Sequence, residues 1–550
     1  MKMRYLDLME RALEAYSIEH IDRYFADVKK AGLTEHGFAR LTANIGTMLS
    51  FGRKAELESR FIEMMDFCCA HVSVDRAAND FSIQEMIVCI DLLDESGAIA
   101  KERLDEWRTL LKKRVIYNEV ARSADQLAYN WVLFSCVSEF LRMKRGLCPL
   151  DMEFIDMQLA TQVVHLDTNG MYRDAAIHPP MVYDNVPRTL FSILLFYGYD
   201  GKYRELIDET LRRAGLLNLK IQSVTGEIPY GGRSNQFYHN EAHFACVAEY
   251  EARRYAKEGN VALAAQFKRV ATDALASIER GLASEPIHHV KNRFPTESGY
   301  GCEDYAYFDK YMITVASFLN WARIFCDESI EPASPMTEAC AFELSDDFHK
   351  LFLRSGDYFA ELDTNADPHY DASGLGRIHK RGAPSEICLS CPGTATPSFK
   401  IDRDDAGDFA IAAGALVDRE LVFKTSGEYK VLSKTCDGER AEATLSCEIC
   451  GREIEFDVML SSSSVSLCVR GDGKVAVLLP TFVFDGEEKS EIAVGDKTVE
   501  IKYKGYSCRY ISSGEIVDTG RIGCNRNGHY ALLSAVGDGR VEVDISIEKT

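Results

Sequence analysis

Residues 327–339 read "DESIEPASPMTEA", and the apolar pattern changes period across them. Upstream, "FSIQEMIVCIDLLDE" (81–95), "LAYNWVLFSCVSEFLRM" (127–143) and "YRELIDETLRRAGLL" (203–217) repeat their apolar residues at three and four. That spacing builds amphipathic helices. About a dozen such segments follow one another, separated by short Gly, Pro or Asn punctuation. Downstream the period is two. "SVSLCVRGDGKVAVLLP" (464–480) and "KTVEIKYKGYSCRYIS" (497–512) alternate, with Gly-containing turns between strands, as in an antiparallel sandwich. The Pro- and Ser-containing stretch therefore divides the chain into a helical part, 1–332, and a β part, 333–550. The fold class expected is α+β multidomain: an (α/α) toroid of helical hairpins followed by an antiparallel β-sandwich. A bundle or solenoid fits the helical pattern as well, although no sequence repeat supports a solenoid.

The whole chain has 550 residues, 46% of them hydrophobic, and a formal charge of −22. Nucleic acids and anionic membranes are held by broad basic surfaces, so neither is expected as a partner. One locally basic cleft for an acidic ligand remains compatible with that total. The first residues, "MKMRYLDLMERALEAY", read as amphipathic helix and lack the apolar core of a signal peptide. No run reaches the roughly 18 apolar residues of a membrane span. Seventeen scattered cysteines, an odd number, read as reduced thiols in a cytoplasmic protein.

Four polar clusters interrupt the helical part. Asn130 and Trp131 sit in an apolar helix pattern, where a buried Asn needs partners and a ligand carboxylate can be one. "DTNGMYRDAAIHPPMVYDNVPRTLF" (167–191) is a long irregular segment displaying Tyr183 and Arg188. A phenol near an arginine can have its pKa lowered, which suits proton transfer. "GGRSNQFYHNEAHF" (231–244) joins a Gly-Gly turn to a helix. Ser234 can cap that helix, placing Asn235, His239 and His243 on one face at steps of four. The order His-Asn-Glu-Ala-His lacks the Glu directly after His that a zinc protease requires, and no third ligand is evident. A neutral His239 acting as base, with Asn235 or Asn240 binding substrate, is more economical. "ESGYGCEDYAYFDKY" (297–311) contributes Tyr300, Glu303 and Tyr307 among others. Rings that stack on sugars, beside acids that take hydroxyls, make a sugar-binding rim.

The pairs Cys388/Cys391 and Cys447/Cys450 are C-x-x-C, but residues three apart in a strand face opposite sides. A four-cysteine zinc site is therefore not favoured, and no cofactor is expected, with a structural divalent metal as the minor alternative. Walker A, G-x-S-x-G and dinucleotide fingerprints are absent.

In order and spacing, "YNWVLF", "DTNGMYRD…PPMVYDN" and "NQFYHNEAH" resemble motifs of the heparinase II/III-like polysaccharide lyases, whose fold is an α/α toroid plus an antiparallel β-sandwich. The resemblance implies β-elimination on a uronic-acid-containing glycan. It implies that Asn130 neutralises the uronate carboxylate, that Tyr183 is the general acid or both acid and base, and that His239 is the base or a carboxylate partner. Arg188, Arg233, Lys291 and Arg293 can make the cleft locally positive. The basic stretch "GLGRIHKRGAPSE" (374–386) can close over it, with Arg377, His379 and Lys380 on substrate. The competing readings are a glycoside hydrolase using paired carboxylates from Asp174, Glu241 and Glu303, and a carbohydrate-binding protein without turnover.

Overall fold

The structure is a computed structural model that describes residues 1–175 and 177–550. Its helices run α1 (Lys2–Glu14), α2 (Ile18–Ala31), α3 (Gly37–Ser50), α4 (Glu58–Ala70), α5 (Ile83–Ser96), α6 (Lys101–Leu111), α7 (Trp131–Lys144), α8 (Met152–Val163), α9 (Val182–Phe196), α10 (Arg204–Ile221), α11 (Tyr238–Lys257), α12 (Val261–Leu282) and α13 (Phe308–Phe325). Local chemistry sets several starts. Ser17, Asp151 and Asn260 each accept a backbone N–H from the first turn of α2, α8 and α12, satisfying donors that the helix leaves unpaired. The buried face of α2 is Ile21, Phe25 and Val28, at the helical spacing.

The odd-numbered helices from α3 onward make a ring. Each packs on the next, α3 on α5, α7, α9, α11 and α13 in turn, and α13 returns to α3. Helices α1, α4, α8, α10 and α12 back onto it from outside, and α1 lies along α13 where the ring closes. One continuous apolar cluster fills the space between the two layers, from Tyr5 to Cys326. This is the toroid of helical hairpins.

After α13 the first strand begins at Cys340. Strands β1 (Cys340–Glu343), β2 (Lys350–Ser355), β3 (Tyr358–Asp363) and β4 (Gly374–Lys380) form one sheet. The second contains β5 (Ala413–Val417), β6 (Glu420–Phe423), β7 (Lys430–Cys436), β8 (Ala441–Ile449), β9 (Arg452–Leu460), β10 (Val465–Phe484), β11 (Glu491–Val494), β12 (Thr498–Tyr503), β13 (Tyr506–Ser512), β14 (Glu515–Asn525) and β15 (Gly528–Lys549). Its main path is β11-β12-β13-β15-β10-β9-β8-β7, with β14 paired to β15 and the β5–β6 hairpin to β10. Every pairing is antiparallel. Strand β9 shows why: Ile454, Phe456, Val458 and Leu460 alternate inward, onto a core shared by both sheets. Among the described residues no helix is long and apolar enough to cross a membrane.

Candidate active site

The N-terminal ends of all six ring helices face one cavity of about 460 Å³. Arg40 comes from α3, Asp80 and Phe81 from the approach to α5, and Asn130 and Trp131 from the start of α7. Tyr183 comes from α9, His239 and His243 from α11, and Lys310 and Tyr311 from α13. A helix N-terminus carries a partial positive charge. Six of them converge here in a chain of net charge −22 and favour an anion beside them. The lining side chains include three cations, Arg40, Arg233 and Lys310, and three carboxylates, Glu35, Asp80 and Glu119.

Asn130 is 2% exposed and lies at the N-cap of α7. Its Nδ2 donates to Asp174 Oδ1 at 2.6 Å, which leaves the second amide hydrogen for a ligand. Asp174 also pairs with Arg233, and that guanidinium lies over the Tyr183 ring, 4.3 Å from its centroid. Asp174 thus orients the amide, and Arg233 balances its charge.

Tyr183 shares a hydrogen bond with Ser234 Oγ at 3.1 Å, and Ser234 Oγ another with the Tyr305 hydroxyl at 3.0 Å. Burial, then the neighbouring phenols Tyr311 and Tyr305, push the Tyr183 pKa well above that of a free phenol. Lowering by an arginine, expected from the sequence, does not occur. Arg233 meets the ring face, while desolvation acts on the hydroxyl. Tyr183 therefore holds its proton.

His239 packs edge-on against Tyr311, with centroids 5.0 Å apart. Burial, then the charges of Arg40, His289 and Lys291, lower its pKa to about 3. The imidazole is neutral and able to accept a proton. Among the described residues no group hydrogen-bonds its ring nitrogens.

The loop before α11 sets this geometry. Gly231 and Gly232 have φ of +138° and +75°, and Ser234 and Gln236 also take left-handed conformations. A Cβ on Gly232 would lie 2.8 Å from Pro180 Cα, so only glycine lets this chain pass the proline segment. The β part holds the loop from behind. Asp371 accepts the Gly232 N–H at 2.6 Å. Glu303 accepts the Ser234 N–H at 2.8 Å and pairs at 2.6 Å with Arg526, from the β14–β15 hairpin.

Arg40 is a cavity residue that the motifs did not indicate. It is 2% exposed, bonded to Glu85 at 2.9 Å and Thr314 at 3.0 Å, with one terminal nitrogen unpartnered. A charged residue inside the apolar run "GFARLTANIG" was the available signal. A second space of about 700 Å³ shares Asn130, Trp131 and Arg233 with the first and is bounded by Asp367 and Tyr370 of the β part. The cavity thus opens into a groove between the two parts.

No protein-family model and no curated protein matches the sequence. Solved structures do match. A heparinase III aligns over 93% of this chain and 78% of its own, at TM-score 0.52 and 10% identity. A Paenibacillus xanthan lyase aligns over 93% of this chain and 53% of its own, at TM-score 0.50 and 8% identity. This chain has the toroid-plus-sandwich fold of those lyases. The chondroitin AC lyase of Streptomyces coelicolor, solved with chondroitin sulphate, aligns over 100% of this chain and 80% of its own, at TM-score 0.49 and 13% identity.

Within this lyase fold the cavity receives Asn130, Tyr183, Arg233 and His239; other expected contacts lie elsewhere. Arg188 is fully buried in α9, where one terminal nitrogen bonds Asp184 at 2.5 Å and Asn218 at 3.0 Å, and it does not line the cavity. Ser234 does not cap α11, whose N-cap is Phe237. Asn235 therefore precedes the helix, off the His239–His243 face, and bonds Gln236. Asn240 turns back to the Ser234 carbonyl. Tyr300 stacks on Phe294 at 3.7 Å and donates to the Gly528 carbonyl, well inside the contact with the β part. Tyr307, 44% exposed, sits at the N-cap of α13, whose register instead presents Tyr311. Glu303 supports Ser234 from behind and does not line the cavity.

Residues 374–380 of the stretch expected to close over the cleft form strand β4, and their charged side chains are tied down. Arg377 pairs with Glu361 at 3.0 Å, His379 bonds Ser223 at 2.7 Å, and Lys380 reaches the Ile547 carbonyl. Lys291 is held between Glu227 and Glu241, and with Arg293 it lines a separate cavity. The positive side chains of the site are instead Arg40, Arg233 and Lys310. His243 bonds Thr189 and lies over Phe318. Of the C-x-x-C cysteines, Cys388 approaches Tyr510, Cys391 approaches Asn527, and Cys450 is exposed. Among the described residues neither set gathers three metal donors.

Proposed function

We propose that this protein is a lyase that cleaves a uronic-acid-containing oligosaccharide or polysaccharide by β-elimination. The observation that carries the reading is the presence of Asn130, Tyr183 and His239 in one cavity ringed by helix N-termini. A uronate C5 proton becomes removable only when the adjacent carboxylate charge is stabilised as the enolate-like state forms. The free amide hydrogen of Asn130, the helix ends and the Arg40 charge supply that stabilisation. Neutral His239 takes the C5 proton. Tyr183 gives its proton to the departing O4, and a C4–C5 double bond remains. The three carboxylates that the sequence offered a hydrolase are each committed to a cation: Asp174 to Arg233, Glu241 to Lys291 and Glu303 to Arg526. Glu35, Asp80 and Glu119 also line the cavity, so the products formed decide between the two reactions.

A panel of acidic glycans tests this. Elimination gives ultraviolet-absorbing products whose summed mass equals that of the substrate. Products carrying one added water would identify a hydrolase. Tyr183→Phe, His239→Ala and Asn130→Ala should each lower turnover by about 10²-fold or more, with Tyr183→Phe keeping its affinity for the glycan. Unchanged binding in Tyr183→Phe, with no product from any glycan, would mean a binding protein. The same proposal takes 1–332 as the catalytic domain and 333–550 as its β-sandwich partner. It places the reaction in the cytoplasm, an assignment supported by the odd cysteine count and testable by cell fractionation.

A further inference from the structure

Outside the cavity lining, "CNRNGH" (524–529) forms the turn of the β14–β15 hairpin. Cys524 and His529 are cross-strand partners in this hairpin, so their side chains project from the same face. Asp402 completes the group: its Oδ1 lies 2.7 Å from His529 Nε2. One donor atom from each of the three lies within 4.8 Å of the others.

Three features fix these donors in place. The imidazole is walled by Phe294, Tyr300 and Phe484, with centroids 5.4, 5.9 and 5.7 Å away. The loop bearing Asp402 is tied to β14 through the Ala406–Ile522 bridge and the 2.8 Å bond from Gly407 N to the Ile522 carbonyl. It is tied to the toroid through the Tyr300–Lys400 bridge. Cys524 is fully buried, while the Asp402 side chain is 47% exposed, so the group has a closed inner side and an open outer one.

We propose that Asp402, Cys524 and His529 form a binding site for a divalent transition metal of the zinc class, with water as the fourth ligand. A thiolate, an imidazole and a carboxylate together suit zinc and exclude calcium and magnesium, which take oxygen ligands. Binding displaces the thiol proton to solvent and forms a metal–sulfur bond. The metal clamps the turn end of the hairpin, which carries Arg526, the partner of Glu303. The site does not depend on the reaction proposed above.

Cobalt(II) is the probe. Full-length protein, stripped with a chelator and desalted, should bind one equivalent, with thiolate-to-cobalt charge-transfer absorption that zinc then abolishes. Cys524→Ser should remove that absorption. Asp402→Ala, a change at a half-exposed position that the fold tolerates, should weaken binding by about tenfold or more. A variant lacking the exposed thiols of Cys436 and Cys450 should bind as the wild type does. Absence of stoichiometric binding overturns the proposal. So does a charge-transfer band that survives Cys524→Ser, or an affinity unchanged in Asp402→Ala.

Discussion

His239 shows how a residue's surroundings decide its chemistry. Its pKa of about 3 keeps the imidazole neutral in the free protein throughout the ordinary range. Protonation of His239 therefore should not limit kcat/KM between pH 7 and pH 5, and the profile on a cleaved glycan should be flat on that account. A break at pH 6.5 that disappears in His239→Gln would show an exposed, ordinary imidazole instead. In the proposed reaction a bound uronate carboxylate would raise the pKa of this neighbouring base and strengthen it as the proton acceptor. Asn130, Tyr183 and His239 were legible because each sits in a local motif with unusual polarity for its helix. Arg40 and Arg526 were not. Their partners lie 45 residues away at Glu85 and 223 away at Glu303, and no local pattern encodes such a pairing.

At the level of elements, the change of period at 327–339 separates α13 from β1, and apolar spacing is a strong signal wherever one face is buried. Boundaries and caps were less readable. The expected cap at Ser234 failed because two left-handed residues, Ser234 and Gln236, carry the chain past the helix axis before α11 begins. The basic stretch 374–386 was misplaced for a related reason. Charged residues usually mark surface, but in β4 they are matched by buried acids such as Glu361. The 231–236 loop yields a direct prediction. Gly232→Ala places a methyl against Pro180 at a positive φ. It should cost roughly 1–3 kcal/mol of stability and lower turnover further by moving Arg233 and Ser234. Gly438→Ala, also at positive φ but with open space around it, is the control for backbone strain alone. Equal effects of the two on turnover, measured beside thermal melts, would remove the loop from the catalytic geometry.

Across the whole molecule, the toroid and the β part meet through buried charge. Asp371 is one of these contacts and responds to pH near neutrality. Burial raises its pKa from 3.8 to about 7, against the lowering effects of Lys350 and the Gly232 N–H. The folded state therefore retains a proton that the unfolded chain releases. This stabilising contribution is complete below pH 3.8 and is lost as pH rises through 7. Buried histidines such as His239 act in the opposite direction, losing stability as pH falls below 6.5. Subtracting the melting curves of Asp371→Asn from those of the wild type isolates the acid. The wild type should lose its relative advantage between pH 4 and pH 8, and a pH-independent difference would show that Asp371 is already ionised at its contact.

The ring of α3, α5, α7, α9, α11 and α13 has one more consequence. Its helix ends act through peptide groups, so substituting any one side chain leaves their partial charges in place. Under the proposed function, the side chains of the rim set the choice of sugar, while the partial charge of the helix ends belongs to the backbone.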